Sequence, residues 1–246
     1  VTVPPGPPDP RLARAQDPAA VPIREAATVV LVRDAAAGGL EVFLQHRVPT
    51  MQFAPGMSVF PGGGVEDRDR SGRAPWSGPG PRWWGEAFGV DEDRAAAAVR
   101  AAVREVFEET GVLLAHPGAG TGPVEADRHR LEAGETTLDE LLESHGMTLA
   151  ADLLRPWDRW TTPVGPPRRY DTLFFVAGLP AGAEADDGTS EARATEWLPA
   201  DAALDAHSGG TLHMLPPTLA VLDSLRGVAD VAGVLGTRRA VRPGGN

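Results

Sequence analysis

The sequence predicts an α/β sandwich in which helices enclose a mixed β-sheet. Three observations predict it. Short β-rich runs recur along the chain with helical segments between them, and one helical stretch runs unbroken from Asp91 to Thr110. The length, 246 residues, suits one large domain. No internal repeat divides it into an array.

Taken in order, residues 1–24 are proline-rich and aperiodic, which reads as a mobile arm before the fold starts. Residues 27–32 (ATVVLV) and 40–44 (LEVFL) form a predicted hairpin across a loose loop at 33–39. Residues 52–64 (QFAPGMSVFPGGG) contain a short strand ending in a glycine turn. Residues 70–90, with Trp76, Trp83, Trp84 and Phe88, read as an irregular insertion. Asp91 then serves as N-cap of a helix that stops at Gly111 in the C′ position. Residues 125–154 look helical, with Leu138, Leu141 and Leu142 at helical spacing, and are expected to pack outside the sheet. β character returns at 172–179 (TLFFVAGL) and 194–198 (ATEWL), and 216–225 begins a final helix carrying Leu219, Leu222 and Leu225. The expected organisation is a domain over 25–226, with insertions at about 70–90 and 113–160, and a C-terminal tail over 227–246 that is loop-like from Arg238.

Composition excludes several chemistries. All 23 basic residues are arginine, lysine is absent, and so is cysteine. Schiff-base lysines, thiol nucleophiles, disulfides and cysteine-held metals are therefore ruled out. With 34 acidic residues the net charge is -11, which opposes binding to nucleic acid or to an anionic membrane surface. The most apolar charge-free stretch, 172–183, falls short of the roughly 18–20 residues that cross a bilayer. Prolines replace any apolar signal region near Val1, so a cytoplasmic protein is expected.

Residues 104–112 (REVFEETGV) carry the chemistry. At about 100° per residue, Val99, Ala102, Val103 and Val106 make one apolar stripe, while Glu105, Glu108 and Glu109 gather on another face. Carboxylates at i, i+3 and i+4 repel one another, and a hard divalent cation relieves that repulsion. An E-x-x-E-E string alone is most often a solvated helix face. Here residues 60–63 (FPGG) lie upstream, a turn lacking side chains that lets a backbone carbonyl approach a metal.

Together these segments resemble the Nudix hydrolase signature, G-x5-E-x7-R-E-U-x-E-E-x-G-U, with U a bulky aliphatic residue. Arg104, Glu105, Val106, Glu108, Glu109, Gly111 and Val112 match its second half. With Gly63 as the motif glycine, Asp69 stands where the pattern has Glu, and 34 residues (70–103) replace the seven-residue spacer. A surface loop tolerates such lengthening when its ends stay close. The segments 43–47 (FLQHR), 160–163 (WTTP), 168–175 (RRYDTLFF), 196–199 (EWLP) and 216–218 (PPT) extend the resemblance to the long-box branch that includes peroxisomal coenzyme A diphosphatases.

The resemblance implies a Nudix-type α/β/α sandwich that hydrolyses a nucleotide-containing diphosphate, preferably coenzyme A or acyl-coenzyme A. It implies Mg2+ or Mn2+ held by Glu105, Glu108, Glu109 and the carbonyl of Gly63, with Arg104 orienting the carboxylates. The general base stays open among Glu105, Glu109, Glu66 and Glu191. Arg47, Arg168 and Arg169 are candidates for phosphate contacts, because guanidinium groups bind oxyanions bidentately. Tyr170 is a candidate for stacking on a base, and Trp83 with Trp84 for a substrate lid or for anchoring the insertion. Hydrolysis of ADP-ribose and nucleotide sensing without turnover remain alternatives. The six histidines form no H-E-x-x-H pair, Ser58 and Ser71 sit in no nucleophile elbow, and the glycine run lacks a P-loop lysine. No sequence feature decides for or against a homodimer.

Overall fold

The computed structural model describes residues 21–48, 54–118, 122–186, 192–237, 239 and 241. Residues 1–20 of the expected arm, and Glu191, lie outside them. The chain opens with β1 (Ile23–Asp34), β2 (Leu40–Arg47), β3 (Ser58–Val59), β4 (Gly62–Gly64), α1 (Asp67–Arg70), β5 (Trp76–Ser77) and α2 (Pro81–Phe88). The long helix α3 (Glu92–Thr110) follows, then β6 (Ala115–His116), α4 (Glu125–Glu132), α5 (Leu138–Ser144) and β7 (Thr148–Ala150). β8 (Leu154–Thr161), β9 (Arg169–Gly178), β10 (Ala192–Pro199), α6 (Ala200–Ser208), α7 (Pro216–Leu225) and α8 (Val231–Gly236) complete it.

The main sheet runs β10-β2-β1-β9-β8, mixed because β1 and β9 are parallel while the other pairs are antiparallel. Period-two alternation sorts its residues onto two faces. Val29, Leu31, Phe43, Leu173 and Phe175 face α2 and α3; Val30, Val32, Val42, Leu44 and Val176 face α6, α7 and α8. The result is the expected sandwich.

β1 and β2 pair only over Val32–Asp34 with Leu40–Val42, and then diverge. The gap is filled by the glycine segment: β4 pairs with β1 (Ala27 opposite Gly63) and β3 pairs with β2 (Gln45 opposite Val59). The Val29 N–H donates to Pro61 O at 2.8 Å across this split. The turn is thus fixed at the base of α3, whose N-cap Asp91 accepts from the Arg94 N–H at 2.8 Å and whose last turn ends at Gly111 with φ +72°.

Several elements differ from the sequence reading. β1 begins at Ile23, inside the segment assigned to the arm, because Ile23 and Arg24 continue the parallel pairing with Arg169 and Tyr170. The segment 70–90 is not irregular: it contains the β5 strand and the α2 helix, with Pro81 opening the helix and Trp84 and Phe88 fully buried. Residues 125–154 give two short helices, then β7 and the first residue of β8. β8 went unseen because Arg155, Asp158 and Arg159 interrupt its apolar alternation, and the strand carries a register shift between Pro156 and Asp158. The tail contains α8, which buries Val234. Among the described residues, no helix is long and apolar enough to cross a membrane.

Candidate active site

α3 is buried nearly all round, so its acidic face looks into the protein instead of into solvent: Glu108 and Glu109 are only 8% and 6% exposed. Arg104, 1% exposed, organises that face. Its Nε and Nη2 donate to Asp69 Oδ1 and Oδ2, both at 2.9 Å. Nη1 donates to Glu105 Oε1 at 2.8 Å and Glu108 Oε2 at 2.9 Å, and Nη2 also reaches Gly64 O at 3.0 Å. Asp69, 2% exposed, is therefore the buried bidentate anchor of the arginine, on the four-residue helix α1. The 34 residues between Asp69 and Arg104 leave the two ends in contact.

Glu109 Oε2 accepts the Gly62 N–H at 2.9 Å, which ties the helix to the glycine turn. A Cβ at Gly63 would collide with the Glu105 carboxylate, so this close approach requires glycine. Burial pushes the Glu105 carboxyl up to about 7, with Arg104 opposing and Glu108 adding to the rise. Burial likewise raises Glu108, against Arg104 and Arg68. Burial lowers the Arg104 pKa, but the Asp69 bond and the neighbouring carboxylates outweigh it and raise the group above its ordinary value.

These groups border one cleft of about 790 Å³. Of the residues singled out in the sequence, Gly63, Glu105, Glu108, Glu109, Arg47, Arg168 and Tyr170 line it. Arg104 lies beneath it and acts through its carboxylates. Arg169 is turned away from the cleft, its Nε donating to Thr162 O at 3.1 Å. Glu66 caps α1 and holds Arg68 Nε at 2.7 Å, outside the cleft lining. Trp84 anchors α2, stacking on Phe88 and meeting Phe175 within the core, while Trp83 is exposed and only edges onto Trp84; neither lines the cleft. Sequence reasoning missed Glu132 at the end of α4, which also lines the cleft, and the apolar surface given by Phe60, Trp160 and Phe174. Trp160 lay in a segment noted only as a likeness; Glu132 carried no signal at all.

The donors suit a hard divalent cation: carboxylate oxygens beside a glycine backbone that no side chain screens. Among the described residues no three acidic or imidazole groups are already drawn together around a single ion position, because Glu105 and Glu108 are held by arginine. The residues fit the ion in chemistry.

Residues 89–225 match the NUDT19 Nudix domain family. The chain belongs to the Nudix family. It is similar to a NUDIX hydrolase from Alicyclobacillus acidocaldarius, whose crystal structure superposes with a TM-score of 0.73 at 32% identity, covering 90% of this chain and 99% of that one. It is 29% identical over 221 residues to the human acyl-coenzyme A diphosphatase NUDT19 (74% of this chain, 59% of that protein). The Xenopus laevis protein of the same name is 26% identical over 227 residues (75% and 59%). The chain spans between 58% and 62% of the length of the curated Nudix relatives it matches.

Proposed function

We propose that this Nudix domain hydrolyses a phosphoanhydride bond in a nucleotide-containing diphosphate, with coenzyme A or acyl-coenzyme A as the substrate class and Mg2+ or Mn2+ as the cofactor. One observation carries the reading: the three glutamates of α3, two cleft-lining arginines and an aromatic surface share a single cleft. Glu105, Glu108, Glu109 and the carbonyl of Gly63 would hold the ion. When bound, the ion supplies neutralisation of the diphosphate charge and activation of a water.

The chain's own residues do the rest. Arg104 orients Glu105 and Glu108, and Asp69 keeps Arg104 in place. Arg47 and Arg168 bind phosphate oxygens; in a chain without lysine a cationic side-chain contact comes from arginine or protonated histidine. Tyr170, Trp160 and Phe174 offer rings to the base or to an acyl-pantetheine arm. Glu105 or Glu109 takes the proton of the attacking water. The coenzyme A preference is supported by the names of the curated relatives.

Turnover of coenzyme A, acyl-coenzyme A, ADP-ribose, NADH and diadenosine polyphosphates with Mg2+ and Mn2+ tests the reading. Coenzyme A or its thioesters should be cleaved fastest; preferred cleavage of ADP-ribose would move the substrate class and keep the chemistry. A second reading, a nucleotide sensor without turnover, draws support from the commitment of Glu105 and Glu108 to arginine. It prevails if no compound is hydrolysed while one raises the melting temperature.

A further inference from the structure

Glu108 is held from two sides by guanidinium groups of unequal freedom. Arg104 binds Oε2 at 2.9 Å, is 1% exposed, and is pinned by Asp69 and Gly64 O. Arg68 Nη2 binds Oε1 at 3.1 Å from a single turn of helix, and its side chain is 18% exposed. Its remaining bonds run to the Glu66 carboxylate, itself 52% exposed, and to Leu131 O at 2.8 Å. Arg68 thus bridges the acidic wall of the cleft and the last turn of α4. Glu132, the next residue, stands in the cleft.

We propose that Arg68 is a displaceable positioning residue: in the metal-free protein it neutralises Glu108 and latches the end of α4, and a divalent cation displaces it. The inference rests on the metal-site reading above. A cation on Glu108 brings positive charge to the oxygen that Arg68 holds, and like charges in a poorly solvated cleft repel. Arg104 has no space into which to withdraw; Arg68 borders solvent. When Arg68 leaves, Leu131 O keeps the backbone donor Gly134 N–H, at 3.0 Å, but the end of α4 loses its side-chain tie to α1. The middle of α4 stays fixed, because buried Arg128 donates from Nε to Glu108 O at 3.0 Å and from Nη1 to Asp186 Oδ1 at 2.8 Å. Leu131 itself is fully buried in the core, so motion is confined to the residues after it and turns Glu132 relative to the other carboxylates.

The test uses the full chain as wild type, Arg68→Gln and Arg68→Lys. Free Mn2+ is followed by electron paramagnetic resonance, and hydrogen exchange is measured over residues 125–135 with and without Mn2+. Arg68→Gln should bind Mn2+ about tenfold more tightly, the gain expected from removing one close like charge. Its α4 should exchange fast in either condition, whereas wild-type α4 should exchange faster only once Mn2+ is added. Arg68→Lys keeps the charge and loses the fork, so its affinity should stay within about twofold of wild type. Equal or weaker Mn2+ binding by Arg68→Gln, or wild-type α4 exchange that Mn2+ leaves unchanged or slows, overturns the latch alone. A wild-type protein that binds no Mn2+ overturns both the latch and the metal site on which it rests.

Discussion

Arg104 directs all five of its donors into the protein, to Asp69, Glu105, Glu108 and Gly64 O. Removing its anchor leaves a buried guanidinium short of charge, so Asp69→Ala should cost about 3 kcal/mol of stability, read from urea unfolding. Glu109→Gln changes charge at nearly constant volume: hydrolysis should drop by about a hundredfold or more, with no loss of fold by circular dichroism. Retained activity would remove Glu109 from the metal site. At this scale the sequence was readable where partners share a helix. Glu105, Glu108 and Glu109 could be grouped from their spacing alone, whereas Asp69 meets Arg104 only through the tertiary fold. Arg169 shows the opposite case. Tyr170, Thr172 and Phe174 line the cleft, so period-two alternation turns Arg169, Asp171 and Leu173 the other way. A strand started at 172 instead of 169 concealed that parity.

Between elements, a run of alternating charge links Arg70, Glu25, Arg94, Asp171 and Arg159. It joins α1, β1, α3, β9 and β8, and Arg159 also donates to the carbonyls of Phe88 and Gly89 at the end of α2. Burial opposes ionisation of Asp171, but bonds from Arg159 and Arg94 outweigh it and hold the carboxyl at about 2. An unfolded aspartate titrates near about 3.9, so the folded state gains stability above that pH and loses it as pH falls towards 2. Asp171→Asn should therefore lower stability at pH 7 by at most about 2 kcal/mol, allowing for solvent screening. The gap between variant and wild type should shrink in melts run from pH 4 down to pH 2.5. A gap independent of pH would mean that packing, not charge, is what the substitution removes. The long, well-capped α3 and the apolar strands β1 and β9 could be read from the sequence. β8 and α2 could not, because what fixes them lies far away in sequence: Asp171 and the Phe88 and Gly89 carbonyls for Arg159 of β8, and Phe175 for Trp84 and Phe88 of α2.

Across the whole molecule, the proposed function asks an acidic chain with net charge -11 to accept an anionic substrate through a bound cation. Chelation should accordingly abolish hydrolysis, and Mg2+ or Mn2+ should restore it. At an ion concentration about a hundredfold above Kd the gain is about 2.7 kcal/mol, or a rise in Tm of about 5 °C for a domain of this size. Glu109→Gln should lose most of that rise. A melting temperature indifferent to either ion would contradict a folded-state metal site.

The segment separating Asp69 from Arg104 also determines what can be removed from this protein. Its two ends are stapled by the buried ion pair, which suggests a loop that could be trimmed to the short spacer of the Nudix pattern. Trp84 and Phe88 forbid it, since their rings meet Phe175 at 5.5 Å and 4.9 Å inside the core. A minimal version made by excising residues 72–89 would keep every residue of the acidic motif and still expose the face of β9 that supports them. The catalytic signature is thus not a portable cassette in this chain: the motif can be transplanted only together with the aromatic plug that sits between its halves.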